Sequence, residues 1–186
     1  MPAKDFIFDL DPFLPEWLHS KVIDELCHDK FPWHFPAVGV LDEKDPYRTC
    51  FGSTLIKPDG TDFTGMCPIV NYVFDYFKDK HKDRFKYKRM ERLRANMYAP
   101  GQFTSRHIDI DRTNHWALLY YVTDSDGGTE IEGTEFKHRA NRALLFPADM
   151  YHQARASTSP ARITLNWNFE AEFDYNAHKE KIKNVG

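Results

Sequence analysis

Cysteine is scarce in this chain. Cys27, Cys50 and Cys67 are its three cysteines, an odd number with no CxxC pair. That argues against a disulfide framework and against a cysteine-built zinc site, and it suits a cytoplasmic, reducing environment. Long apolar runs are also missing, since no stretch approaches the ~18 residues of a membrane span. The opening segment MPAKDFIFDLDPFLPEW breaks any apolar stretch with acids and prolines, unlike a secretory leader. An excess of one charge is lacking too: 25 Lys and Arg stand against 28 Asp and Glu, for a net charge of −3. No global field therefore draws the protein to nucleic acid or to an anionic membrane. Internal repeats and low-complexity linkers are absent as well. What is present is apolar and aromatic surface, at 41% and 15% of the 186 residues. That is enough to offset the entropy of ordering, which excludes disorder as the main state. The length suits a single domain over residues 1–186, burying roughly 70% of its unfolded surface.

Hydrophobic periodicity divides the chain near residue 85. Two helices are predicted before it. In PEWLHSKVIDELCHDK, Trp17, Leu18, Val22, Ile23 and Leu26 recur at helical spacing behind Pro15. In CPIVNYVFDYFKDKHKD, Ile69, Val70, Val73, Phe74 and Phe77 do so behind Pro68. Residues 31–66 are rich in Pro, Gly and Asp and read as short strands and turns. The aromatics Phe31, Trp33 and Phe35, with His34, either rim a substrate mouth or simply pack. From residue 85 the period is two. Arg92, Arg94, Asn96 and Tyr98 share one face of a strand, and Leu93, Ala95 and Met97 share the other. Strands follow over 117–122, 142–147 and 162–169, the last with Ile163, Leu165, Trp167 and Phe169 opposite Arg162, Thr164, Asn166 and Asn168. Many short strands with regular turns predict a sandwich or barrel, whose polar strand faces meet either water or a wet cavity. Residues 1–84 then supply helical support and part of the substrate rim, 85–175 the β core, and 176–186 a polar tail.

The chemistry centres on His107-Ile108-Asp109. Two positions apart on a strand, the imidazole and the carboxylate point the same way. His-x-Asp alone is a weak signal, and two similar triplets are discounted. His81-Lys82-Asp83 lies in a charged helix end, and His178-Lys179-Glu180 in a polar tail with no histidine after it. His152 lies 43 positions beyond Asp109, room for a hairpin and a return strand that bring it beside the pair. Two histidines and one carboxylate make a facial triad with open positions, suited to Fe(II) oxygen chemistry. The alternative for His152 is a surface histidine. Arg162, ten positions further on, opens a strand on its polar face, where its rigid fork suits a carboxylate. Tyr98, nine positions before His107, lies beside Asn96 on another polar face. A surface ion pair and an ordinary strand aromatic are the plainer alternatives for these two.

The stretch from Arg92 to Glu170 resembles the Fe(II)/2-oxoglutarate-dependent dioxygenase superfamily. The motifs are RANMYAPG, RHID, LLYYVTDSDGGTEI, NRALLFPADMYHQA and RITLNWNF, in that order and spacing. The hairpin GGTEI and the strand LLFP are most similar to the prolyl-4-hydroxylase-like branch. That branch often has lysine where this chain has Arg162, and glycines where it has Gln153 and Ala154. The resemblance implies a mainly β fold with supporting helices, a double-stranded β-helix (a jelly-roll, cupin-like barrel). It implies Fe(II) on His107, Asp109 and His152. It also implies 2-oxoglutarate held by Arg162, with Tyr98, Asn96 and Thr164 assisting, and O2 as second cosubstrate. The implied reaction converts 2-oxoglutarate to succinate while hydroxylating a peptidyl-proline-like or small-molecule substrate. Two alternatives remain. The spacing of Asn96 and Tyr98 to His107 also resembles the alkylated-base demethylases, and the basic run 78–94, with Phe85 and Tyr87, offers phosphate contacts or merely a solvated edge. A non-catalytic cupin-like module that binds metal or 2-oxoglutarate is the other.

Overall fold

The computed structural model describes residues 6–35 and 49–174. The elements, in chain order, are β1 (Phe8–Leu10), α1 (Glu16–Leu26), β2 (Phe51–Ile56), a 3-10 turn (Thr64–Met66) and α2 (Ile69–His81). Then come β3 (Phe85–Tyr98), β4 (His115–Tyr121), β5 (Gly128–Ile131), β6 (Thr134–Lys137), β7 (Arg142–Pro147), β8 (His152–Ala154) and β9 (Arg162–Phe173). The strands form two antiparallel sheets, one of six in the order β1-β7-β4-β9-β3-β2 and one of three in the order β6-β5-β8. This is the mainly β architecture that the period-two strands predicted, in the jelly-roll form that the resemblance implied.

Both helices begin one residue after the proline that marks them in sequence, where a missing N–H costs nothing. On α1, Leu18, Val22 and Leu26 are buried at four-residue spacing, while Trp17 is 69% exposed and stands outside the apolar stripe. On α2, Val70, Val73, Phe74 and Phe77 are buried. These stripes cover one face of the large sheet, where Leu93, Ala95, Leu118, Tyr120, Leu165, Trp167 and Phe169 complete the main core. The opposite face looks toward the small sheet. There Ala117, Leu119, Tyr121, Leu144 and Phe146 meet Ile131, Ala148 and Met150 in a second, smaller core.

Two elements depart from the sequence reading. His107 and Asp109 lie in an extended connection between β3 and β4, not on a regular strand. His107 makes a single antiparallel bridge to His152, and the amides of Asp109 and Ile110 both donate to the Ala148 carbonyl. Second, the aromatics of the basic run face inward. Phe85 packs on Phe77 and Trp116, and Tyr87 on Phe74, so neither is free to stack on a nucleobase. Phe31 packs at a tilt against Trp33, and Phe35 against Phe51. The rest of the 31–66 region at 36–48, and the triplet at His178, lie outside the described residues.

Candidate metal and cosubstrate site

The long pairing of β3 with β9 builds the site floor. Its register sets Arg92 opposite Asn168, Arg94 opposite Asn166, Asn96 opposite Thr164 and Tyr98 opposite Arg162. Alternation sends Leu93, Ala95, Ile163, Leu165 and Trp167 to the helix side, which leaves the polar set facing the small sheet. The connection after β3 then runs back along β8. Thr104 exchanges hydrogen bonds with Ala154, and the His107 and His152 backbones bond in both directions at 2.9 and 2.8 Å.

This stitching gathers His107, Asp109 and His152. Their ligand atoms lie within 4.8 Å of one another. The imidazole Nε2 atoms stand 3.9 Å (His107) and 3.7 Å (His152) from the Asp109 oxygens. Both gaps are shorter than the ~4.2 Å sum of two metal–ligand bonds, so a metal ion fits between them. Each Nδ1 lies on the carbonyl two residues earlier, Ser105 at 2.8 Å and Met150 at 3.0 Å. Only a protonated Nδ1 can serve a carbonyl, so each ring turns its Nε2 toward the shared point, as metal-binding histidines do. The Asp109 side chain is 3% exposed; Arg92 donates to its Oδ1 at 2.5 Å, and Asn166 and Asn168 to its Oδ2 at 2.9 Å each. Burial alone would push its carboxyl up, but His152, Arg92 and the two amides outweigh burial and hold it well below the usual carboxylate range. Burial pushes the His152 imidazole down. An ionised aspartate beside a neutral histidine is the state a divalent metal requires.

The candidate cosubstrate end centres on Arg162, which is 1% exposed. Its Nη1 donates to the carbonyls of Gly128 and Arg155, its guanidinium lies 4.3 Å from the centre of the Tyr98 ring, and its Nε has no partner. No carboxylate neutralises it among the described residues. A buried cation left in that state is costly, so the site fits an anionic ligand. Thr164 and Asn96 are buried beside it on the same floor, 4% and 9% exposed. Burial pushes the Tyr98 hydroxyl up, so it stays a hydrogen-bond donor.

Sequence reasoning overlooked two groups. Arg92, Asn166 and Asn168, which hold Asp109, were visible as a polar strand face but carried no role. Tyr121 was hidden inside an apolar run, yet it sits on the inner face. Its hydroxyl is buried without a well-aligned hydrogen bond, near Thr129 and Arg162, and burial pushes it up to about 12. His138 stacks on its ring at 4.2 Å.

A jelly-roll barrel that gathers two histidines and a carboxylate beside a buried arginine is the architecture of non-haem Fe(II) oxygenases. Residues 69–170, more than half of the chain, match the sequence model of the 2OG-Fe(II) oxygenase superfamily. The chain belongs to that superfamily: it is an Fe(II)-dependent dioxygenase with 2-oxoglutarate and O2 as cosubstrates. No curated protein matches it significantly. Solved structures share the fold at low identity. A Pseudomonas putida prolyl-4-hydroxylase aligns with TM-score 0.62 and 14% identity, over 88% of this chain and 92% of its own. A Trichoplax adhaerens prolyl hydroxylase, solved with a hypoxia-inducible-factor peptide fragment, aligns with TM-score 0.63 and 13% identity over 92% and 84%. A Burkholderia pseudomallei oxidoreductase of the same oxygenase family aligns with TM-score 0.63 and 11% identity over 90% and 86%. Among the described residues no helix is long and apolar enough to cross a membrane.

Proposed function

We propose that His107, Asp109 and His152 hold Fe(II), and that Arg162 anchors the far carboxylate of 2-oxoglutarate, with Tyr98, Tyr121, Thr164 and Asn96 lining its place. The observation that carries this is the buried guanidinium of Arg162, without a carboxylate partner among the described residues, on the strand floor whose Arg92, Asn166 and Asn168 hold Asp109. The loaded centre supplies O2 activation, driven by decarboxylation of 2-oxoglutarate to succinate and spent on oxidising a substrate C–H bond. The chain's own residues bind, orient and shield. Arg92, Asn166 and Asn168 fix the plane of the Asp109 carboxylate, and the backbone carbonyls of Ser105 and Met150 fix the two rings. Arg162 sets the direction of the cosubstrate, and Phe146, buried in the smaller core with Leu119 and Met150, packs against the His152 ring and keeps water from it. The His107 side chain is 41% exposed while His152 is 6% exposed, so substrate approaches from the His107 side.

The favoured substrate is a peptidyl-proline-like group or a small molecule. Its support is the shared fold with prolyl hydroxylases and the inward packing of Phe85 and Tyr87, which weakens the base-demethylase alternative. The three free cysteines support a cytoplasmic setting, and one domain over 1–186 remains the reading of its organisation.

Thermal melting without oxygen tests the assignment. At 2-oxoglutarate a hundredfold above its Kd, metal-loaded wild type should melt about 5–10 °C higher, from about 2.7 kcal/mol of linkage. The shift should require metal and vanish in Arg162→Gln. A metal-independent shift, or one that Arg162→Gln retains, overturns the cosubstrate site. Metal binding unchanged in Asp109→Ala overturns the metal site.

A further inference from the structure

Glu91, His115 and Glu170 also converge, each offering one ligand atom within 4.8 Å of the others. They come from three neighbouring strands. His115 opens β4 opposite Glu170 of β9. Glu91 falls where the β3–β9 register shifts between Met90 and Arg92. Without that bulge, alternation would place Glu91 with Leu93 and Ala95 in the apolar core; the bulge re-aims it.

The decisive side chain is His115, 6% exposed. Its Nδ1 lies 2.8 Å from the Thr113 carbonyl oxygen, which only accepts, so Nδ1 carries the proton. Its Nε2 faces Glu91 Oε1, 3.2 Å away. A ring nitrogen and a carboxylate oxygen at that distance share a cation, either a proton on Nε2 or a metal. His107 and His152 have the same arrangement, each with Nδ1 on the carbonyl two residues earlier and Nε2 toward a carboxylate.

We propose that Glu91, His115 and Glu170 form a second divalent transition-metal site, of the one-nitrogen, two-carboxylate kind that takes Zn(II), Mn(II) or Fe(II). Arg89 and Arg112 now pair with Glu91, and Arg89 and Lys88 with Glu170. The two arginine side chains are 59% and 52% exposed, so both can swing into solvent at little cost when a metal replaces them. The site lies about 7 Å along β9 from Asn168, the spacing of two strand residues. Glu91 is also the chain neighbour of Arg92. Both Asn168 and Arg92 bond Asp109, so occupancy here steadies the residues that orient the first site's carboxylate.

The test is metal stoichiometry in chelator-stripped, full-length protein, with Mn(II) as probe, by calorimetry and elemental analysis. Wild type should bind two equivalents. Glu91→Gln and Glu170→Gln should each bind one, and Asp109→Ala should keep one. Glu170 is the most exposed of the three, so its variant carries the test if Glu91→Gln fails to fold. One equivalent in wild type, with a doubly protonated His115 ring by NMR, identifies the cation as a proton and overturns the proposal. Two equivalents retained in a folded Glu170→Gln overturns it as well. Failure of the first site shows up separately, as an Asp109→Ala variant that keeps both.

Discussion

A methyl group at Gly127 would lie 2.7 Å from Arg162 Nη1, 2.9 Å from Ser157 Cβ and 3.2 Å from the Arg155 carbonyl oxygen. The backbone oxygen cannot retreat, and Ser157 is itself buried, so Gly127→Ala must displace the guanidinium. A hydrogen bond to a charged group is worth about 1.5–3 kcal/mol, so the variant should need about 10–100-fold more 2-oxoglutarate to reach the same thermal shift. Its Mn(II) affinity should stay as in wild type, and titrating the two ligands separately checks the split. His138 offers a second prediction at this scale. Burial first, and Arg162 second, push its imidazole down to about 3. The unfolded chain takes up that proton near pH 6.5, and the folded chain does not until far lower pH. Stability from this group is therefore intact above about pH 6.5 and lost progressively as pH falls toward about 3. Melting points of His138→Phe, which keeps a ring against Tyr121, should fall less steeply across that window. An equal slope would remove His138 from the acid response. Neither position was legible in sequence. Gly127 reads there as half of a turn signal, and only the approach of Arg162 from 35 positions away gives it a steric role.

At the scale of elements, alternation was the strongest signal, and it identified the floor of the site. The polar faces of 92–98 and 162–169 were visible as such, and their register then brought Arg92, Asn166 and Asn168 to Asp109. The connection carrying His107 and Asp109 was misread as a strand because His-x-Asp fits period two. In the structure its conformation comes from long-range bonds to Ala148, His152 and Ala154, which no local pattern encodes. The turn between β5 and β6 has Glu132 and Gly133 at φ of 46° and 76°, the two-residue geometry that favours a glycine. The asparagines of β9 yield the prediction at this scale. Groups that orient a metal ligand typically cost 10–100-fold in metal affinity when removed, so Asn168→Ala should weaken Mn(II) binding by about that factor. Asn168→Asp, which sets a second carboxylate against Asp109, should alter both the affinity and its pH dependence. Direct titration of both variants decides whether the amides act on the ligand or merely fill space.

For the whole molecule, the six-stranded sheet separates stability from chemistry. One face is sealed by α1 and α2 over an aromatic core; the other carries the polar floor and the second, smaller core. The change to period two near residue 85 was legible, but β1 and β2 lie before it and form both edges of the six-stranded sheet. Which polar face looks inward was not legible, since that depends on where the small sheet closes. Asn166 and Trp167 are chain neighbours on opposite faces, and they test the separation directly. Trp167 is fully buried and stacks on Phe74 at 6.2 Å. Trp167→Ala should cost about 3–5 kcal/mol and lower the melting point by about 6–20 °C. Below that midpoint, its metal and 2-oxoglutarate titrations should match wild type. Asn166→Ala loses one hydrogen bond to the charged Asp109, worth about 1.5–3 kcal/mol of stability, and should melt about 3–12 °C below wild type while binding metal more weakly. If Trp167→Ala also loosened the metal, or Asn166→Ala left it unchanged, the sheet would be one coupled structure, and the barrel floor could not be varied for new substrates independently of the helical side.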